Sequence, residues 1–132
     1  MRYYKYSLPG NPIPLARPRF GKGRIFDSQK LLKINHGILL KRQHGKKPLL
    51  KSPLCLTVTF FLPFPCNSTR AKKDKIKGTY QCRRPDLDNL IKYVLDTSNL
   101  VLFSDDQLVC KINAKKIYDS EPRTEFTLTE LK

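Results

Sequence analysis

The chain is poor in the residues that build common metal and redox sites, and it has no long apolar run. It contains two histidines and four cysteines in 132 residues, and no two cysteines have CxxC spacing. A zinc site is therefore not expected, because its ligands are usually closely spaced Cys and His. A membrane span needs about 20 apolar residues, and a secretory signal needs an apolar core near the N-terminus. The sequence shows neither pattern. We expect a cytoplasmic protein with reduced thiols, in which Cys55 and Cys110 lie buried in strands.

Acidic residues are also scarce, and they are unevenly distributed. The chain carries 26 Lys and Arg against 11 Asp and Glu. Residues 1–84 hold 20 basic residues and two acids, a balance of +18, whereas residues 85–132 hold six basic and nine acidic residues, a balance of −3. This segregation favours a face that binds a polyanion, beside a cluster of carboxylates. The alternative is a basic protein that its lysines keep soluble.

The hydrophobic patterns predict an α+β fold in a single domain over residues 1–132. Alternating apolar or aromatic side chains predict strands over residues 2–8, 54–62, 108–118 and 123–131. The predicted order is β-α-β-α-β-β, which gives a mixed β-sheet of about four strands with two main helices.

Both predicted helices have an apolar stripe. The first follows an N-cap at Asp27–Ser28 and runs to about residue 45, with Leu31, Ile34 and Ile38 on its stripe. The second starts near Asp88 and fades at residues 97–99. Its stripe consists of Leu87, Leu90, Ile91, Val94 and Leu95.

Two basic segments lie outside these elements. Prolines at positions 9, 12, 14 and 18 predict an extended arm or loop, and residues 66–84 predict a long, mobile basic loop without structure of its own. The alternatives are a plain solvated turn for the arm and disorder without a role for the loop. The predicted DNA-binding residues of these segments are Arg17, Arg19, Lys72, Lys73, Lys75, Lys77, Arg83 and Arg84.

Carboxylates cluster where the second helix begins and just after it ends. Asp86 and Asp88 are two residues apart, and Asp105 and Asp106 follow after one helix and a turn. A helix N-cap at Asp88 would explain one of them and not the rest. Like charges brought together repel, and Mg2+ relieves that repulsion while using few carboxylates plus water and phosphate oxygens. We therefore expect the two stretches to meet in space and form a magnesium site that hydrolyses a nucleic-acid backbone.

Lys92 lies one helical turn after Asp88, and Asp96 lies one turn after Lys92. This spacing indicates either a ladder of surface ion pairs or a lysine that offsets charge on the scissile phosphate. No histidine is near the cluster in sequence, so no imidazole base is proposed. A glycine-rich phosphate loop of the nucleotide-hydrolase type is absent from the sequence.

At these residues the sequence resembles the RusA-like Holliday junction resolvases, crossover junction endodeoxyribonucleases associated with phages and prophages. The likeness rests on R-P-D-L-D-N-L-I-K-Y-V-L-D over residues 84–96, F-S-D-D-Q-L-V over 103–109, Lys115, and the arm over 14–19. The resemblance implies a homodimer that binds a four-way DNA junction and nicks two strands symmetrically, in DNA recombination and repair. It implies Mg2+ as the cofactor, with Mn2+ as a substitute.

The resemblance also implies roles for single residues. Asp86, Asp88 and Asp106 match the family's catalytic, metal-binding aspartates, and Lys92 matches its functional lysine. Asp105 matches the second acid of the DD pair, as a further metal ligand. Asn99–Leu100 stands where members often have Asn-Gly, so the turn after the second helix departs from the family pattern.

Two other functions fit the same composition. One is a non-catalytic basic module that binds nucleic acid, in which the aspartates are helix caps. The other is a less selective DNA or RNA nuclease.

Overall fold

A computed structural model describes residues 2–17, 19–21 and 23–132. Within these ranges it has six strands: β1 (Tyr3–Pro9), β2 (Arg19–Gly21), β3 (Arg24–Phe26), β4 (Leu54–Leu62), β5 (Val109–Tyr118) and β6 (Arg123–Glu130). Its helices are α1 (Lys30–His44), α2 (Arg70–Ile76) and α3 (Leu87–Ser98), and a single 3-10 turn covers Asp106–Leu108.

The four long strands form one mixed sheet in the order β1-β6-β4-β5. β1 and β4 run antiparallel to β6, and β5 runs parallel to β4. Along β4 every second residue is buried, from Leu54 to Leu62, because one face of the sheet carries the core. The predicted α+β fold with a mixed four-stranded sheet is confirmed.

Helix α3 presents its apolar stripe to the core as the sequence predicts. Leu90 and Val94 are fully buried, and Leu87, Ile91 and Leu95 pack partly buried against the same cluster.

The prediction for the face that α1 buries is wrong. Leu31, Ile34 and Ile38 are 72%, 51% and 48% exposed, and the helix buries Gly37, Leu40 and His44 instead. His44 is tolerated in the core because both of its ring nitrogens have partners. Nε2 donates to the carbonyl of Pro48 (2.9 Å), and Nδ1 accepts from the hydroxyl of Tyr6 (2.8 Å).

The predicted N-cap of α1 is also wrong. The helix begins at Lys30, and the cap position is Gln29. Asp27 instead accepts a hydrogen bond from the Gln29 N–H (2.9 Å) in a turn before the helix.

The two basic segments contain more structure than the sequence predicts. Within the segment 66–84, Thr69 caps α2 by accepting from the Lys72 N–H (3.2 Å), and residues 78–81 run beside the end of β5. The hairpin of β2 and β3 follows the proline arm. The prediction of a basic loop without structure of its own is therefore wrong for part of that segment.

An ion cluster joins α1 to α3. Lys33 Nζ lies 2.6 Å from Asp27 Oδ2 and 2.7 Å from Asp96 Oδ2. The hydrogen bond from Lys33, followed by the one from the Gln29 N–H, lowers the pKa of Asp27 below its ordinary value.

The turn after α3 holds Leu100 in the left-handed region, at a φ of +62°. This is the position where the resembled family often has glycine, and the backbone keeps the conformation that glycine favours. Leu100 is also 68% exposed, so burial of its side chain does not offset the strain.

All four cysteines are free thiols. Cys55 is partly buried in β4, but Cys110 is exposed, so its predicted burial is wrong. The pairing of β4 with β5 shifts register beside it, between Leu54 and Cys55. In the described part of the chain, no helix combines the length and apolarity that a membrane crossing requires.

We expect Leu100→Gly to raise the free energy of unfolding by about 1 kcal/mol, because glycine adopts the left-handed conformation without a Cβ clash. Leu100→Ala is the matched control, since it removes the same side chain but keeps the strain. Urea denaturation should rank Gly above Ala. Equal stability of the two variants would contradict the strain at this turn.

We expect Asp27→Asn to lower stability at neutral pH by about 0.5 kcal/mol, a value usual for exposed ion pairs. Because the folded pKa of Asp27 is lowered, its contribution is present above the unfolded value of about 3.9 and is lost as the pH falls through the folded pKa. Unfolding should be measured from pH 7 to pH 2, with Asp74→Asn in α2 as control. A difference from wild type that persists unchanged at pH 2 would exclude this explanation.

Candidate active site

The proline arm is fixed to the start of α1 by Gln29 and to the start of α3 by a backbone hydrogen bond. Gln29 Nε2 donates to the carbonyl of Pro14 (2.9 Å), and its Oε1 accepts from the Ala16 N–H (2.9 Å). The Leu15 N–H donates to the carbonyl of Asn89 in the first turns of α3 (2.9 Å). The arm therefore crosses the N-terminal part of α3, and exposed Arg17 follows it directly. Arg19 lies in β2, and its side chain is outside the described part of the structure.

In the segment that leads into α3, three consecutive carbonyl groups accept hydrogen bonds from side chains. Lys116 Nζ donates to the carbonyls of Arg83 (2.7 Å) and Pro85 (2.8 Å). Gln81 Nε2 donates to the carbonyl between them, that of Arg84 (3.0 Å). Charge-assisted bonds of this kind are strong, so this segment has little freedom just before Asp86.

The first acid pair consists of Asp86 and Asp88 at the start of α3. Asp86 is the N-cap residue, and within the described residues its carboxylate makes no capping hydrogen bond. Asp88 lies in the first turn, where a negative charge suits the helix dipole. Helix capping at Asp88, the simpler explanation of this pair, therefore does not match the structure.

The second acid pair consists of Asp105 and Asp106 beside the 3-10 turn. Asp105 caps this turn by accepting from the Gln107 N–H (3.1 Å). The hydrogen bond with Asp105, some burial, and the charges of Asp105 and then Asp96 raise the pKa of Asp106. A divalent cation bound here would relieve this repulsion.

The two acid pairs lie toward opposite ends of α3. Lys116, which binds the segment before Asp86, is seven positions from Val109 on β5, about 23 Å at the usual rise per residue. Asp106 precedes Val109 by three residues, and the helix charge that acts on it is that of Asp96, near the C-terminal end of α3. Within residues 2–17, 19–21 and 23–132, no three Asp, Glu, His or Cys side chains are arranged to hold one metal ion. The expected meeting of the two stretches does not occur within a single chain, and the metal-binding roles stay predictions.

The donor chemistry of each pair nevertheless suits Mg2+. All four aspartates are exposed and offer carboxylate oxygens. Magnesium commonly takes one or two protein carboxylates and completes its shell with water and substrate phosphate oxygens. One pair therefore supplies as many protein ligands as Mg2+ usually takes.

The structure tests the ladder of ion pairs that the Asp88–Lys92–Asp96 spacing allows. Lys92 Nζ lies 4.0 Å from Asp88 Oδ2, and both side chains are more than half exposed, so this pair contributes little. Asp96 binds Lys33 of α1 instead of continuing a ladder. Lys92 thus keeps an exposed ammonium group one helical turn from Asp88.

The other predicted DNA-binding residues fall into two groups. Lys72, Lys73 and Lys75 are exposed on α2, and Lys77 directly follows that helix. Arg83 and Arg84 are exposed at the opening of a cleft that has Asp86 on its lining.

Sequence reasoning missed several residues that shape this site. Lys116, Gln81 and Gln29 act through hydrogen bonds that only the tertiary fold creates. Phe64 and Tyr118 line the same cleft as Asp86. Asn89, also on its lining, lies in the quoted motif after Asp88, which was the one available signal.

Comparisons with known proteins identify the family of this chain. The family model described as Endodeoxyribonuclease RusA matches residues 9–129, which include both acid pairs and Lys92. The chain is 29% identical over 136 residues to the uncharacterized protein YqaN of Bacillus subtilis (strain 168), with 96% of each chain covered. It is 38% identical over 80 residues to the crossover junction endodeoxyribonuclease rusA of Lactococcus phage r1t, covering 60% of this chain and 56% of that protein. A match over this much of the chain, with both acid pairs inside it, means that the protein belongs to the RusA family of endodeoxyribonucleases.

Proposed function

We propose that the protein is a structure-specific endodeoxyribonuclease that resolves Holliday junctions by paired symmetric nicks, using Mg2+ or Mn2+, in DNA recombination and repair. The observation that carries the proposal is the family match over residues 9–129, together with an N-cap carboxylate that the helix itself does not use. A cytoplasmic, nucleoid-associated location follows from that role.

Different residues bind the DNA and act in cleavage of its backbone. Exposed basic side chains on α2, on the arm and at Arg83–Arg84 bind phosphates, and such contacts set position rather than base sequence. The Lys116 and Gln81 hydrogen bonds hold the start of α3, so Asp86 and Asp88 keep one position relative to the bound strand. Lys92, one turn further on, offsets negative charge that develops on the scissile phosphate.

Asp86 with Asp88, and Asp105 with Asp106, are the two pairs that would each hold a metal ion. When bound, Mg2+ supplies charge neutralisation at the phosphate and lowers the pKa of an attacking water. Asp105 and Asp106 gain most from the ion, because the hydrogen bond and charge of Asp105 raise the pKa of Asp106 and a cation would offset this repulsion.

A homodimer would supply two equivalent sites to a junction that itself has two-fold symmetry. The surface that fits this role is the apolar stripe of α1, where Leu31, Ile34 and Ile38 are exposed at intervals of three and four residues. That spacing is the seam of a helix pair. Ile34, Ile38 and Leu100 line one groove between α1 and the end of α3.

The charges around this groove also favour a second copy as its occupant. Lys41 and Asp96 both line it, so a dyad can place a lysine of one chain near an aspartate of the other without a like-charge conflict. The strain at Leu100 supports the same conclusion, since an exposed leucine in a left-handed turn has no benefit within one chain.

We expect Asp88→Asn to reduce junction cleavage by about a hundredfold or more while junction binding is retained, because the change removes a charge but no bulk. Asp106→Asn should do the same, and Glu125→Gln on the solvent face of β6 should leave cleavage unchanged. The assay uses labelled four-way, linear and single-stranded DNA, each with Mg2+ and with Mg2+ omitted.

Other outcomes of that assay identify other functions. Junction binding without any metal-dependent product would mean a basic binding module. Equal cutting of all three substrates would mean a nuclease without junction selectivity. Wild-type cutting by Asp88→Asn would remove this residue from the mechanism.

We expect Ile38→Glu to weaken self-association by about tenfold or more, because it places a charge on the α1 stripe. Ile25→Glu in the β2–β3 hairpin is the matched control, since Ile25 is also largely exposed. Sedimentation equilibrium without DNA measures the mass of each variant across a range of concentrations. A wild-type protein that is monomeric throughout, or a dimer that Ile38→Glu leaves intact, would rule out this interface.

A further inference from the structure

A cleft of about 820 Å3 opens beside Asp86. Its lining includes arm residues between 11 and 14, and residues 62–66 at the end of β4 and just after it. The segment 83–86 and Asn89 in the first turn of α3 also line it. Its volume is in the range of about 300–1,000 Å3 that is usual for sites that enclose a small ligand. We call it the Asp86 cleft.

Two aromatic rings on the lining of the Asp86 cleft lie nearly parallel. The ring centroids of Phe64 and Tyr118 are 6.3 Å apart, and their planes differ by 16°. Both side chains are half-buried, so part of each ring remains accessible. Nucleic-acid bases stack on such rings, and any base can do so because all have a π-face.

The wall of the cleft next to Asp86 is preformed and basic. Its carbonyl groups are occupied by Lys116 and Gln81, which fixes the backbone of residues 83–85. The Arg83 and Arg84 side chains are exposed on the same lining. Guanidinium groups in such a position bind phosphates, so aromatic and cationic groups lie together as in single-strand binding sites.

We propose that the Asp86 cleft binds one unpaired nucleotide of the strand to be cut, with its base against Phe64 and Tyr118 and its flanking phosphates at Arg83 and Arg84. A base stacked inside a duplex does not present its face to these rings, whereas strands that exchange partners at a branch point have bases that can leave their stack. This inference rests on the proposed function, because Asp86 on the rim places the held nucleotide beside the phosphate to be cut.

The cleft would also make cutting depend on the base that it holds. Asn89 on its lining carries an amide that can both donate and accept a hydrogen bond at a base edge. Phosphate contacts alone give no such preference.

Photo-crosslinking tests the proposal without any cutting. Four-way junctions carry a single 5-iododeoxyuridine at each position within two nucleotides of the branch point, and the protein is bound in EDTA and irradiated. Mass spectrometry then locates the crosslinked peptide. We expect one position to react with Phe64 or Tyr118 and the matching linear duplex to give no such product.

The variant Phe64→Leu should lose that crosslink and bind the junction about tenfold more weakly, the usual effect of one stacking contact. Phe64→Trp should keep both properties, because it restores a stacking surface. Tyr3→Leu is the control, since Tyr3 is an exposed aromatic residue on β1, and it should behave as wild type. Thermal unfolding checks that each variant is folded, and Tyr118→Leu, which removes the other ring of the cleft, carries the test if Phe64→Leu is not.

The outcomes separate this inference from the proposed function. Crosslinks that map outside the Asp86 cleft, or a folded Phe64→Leu protein that crosslinks as wild type does, would overturn it even if the junction is cut in Mg2+. A crosslink in the cleft without cutting in Mg2+ would instead retain the nucleotide site and overturn the nuclease.

Discussion

Two hydrogen bonds from the ammonium group of Lys116 join β5 to the segment that enters α3. These bonds connect a stretch without regular structure to a strand that is itself hydrogen-bonded in the sheet. These hydrogen bonds fix the position of Asp86, of the basic wall of the Asp86 cleft and of the start of α3. The partly buried ammonium group gains from the two carbonyls what it would otherwise lose on leaving water.

The fold places the lysines of α2 and the two acid pairs on different elements. The core is confined to one face of the sheet, where α1 and α3 pack, and exposed lysines lie on the short helix α2. The acid pairs lie toward the two ends of α3, where the helix meets other segments. The lysines of α2 are therefore on a different element from the acid pairs, whereas Arg83, Arg84 and Lys92 lie close to Asp86 and Asp88.

Sequence patterns predicted the elements whose periodicity has one interpretation. Strand β4 alternates over nine residues, and α3 has one apolar stripe. Helix α1 has two faces with similar residue spacing. The sequence predicted burial of the more apolar face, but the folded helix buries the face that ends at His44. Helix α2 was missed because its seven residues have no apolar period. The acid motifs were visible, but their separation depends on how α3 runs along β5, which no local pattern encodes.

The two hydrogen bonds of Gln29 connect the proline arm to helix α1. This residue stands immediately before α1 and holds the backbone on both sides of Leu15, one position short of Arg17. The proposed DNA contact at Arg17 and the proposed dimer interface on α1 are therefore connected through these hydrogen bonds. If both proposals hold, DNA binding and dimerisation would each change the free energy of the other by the same amount.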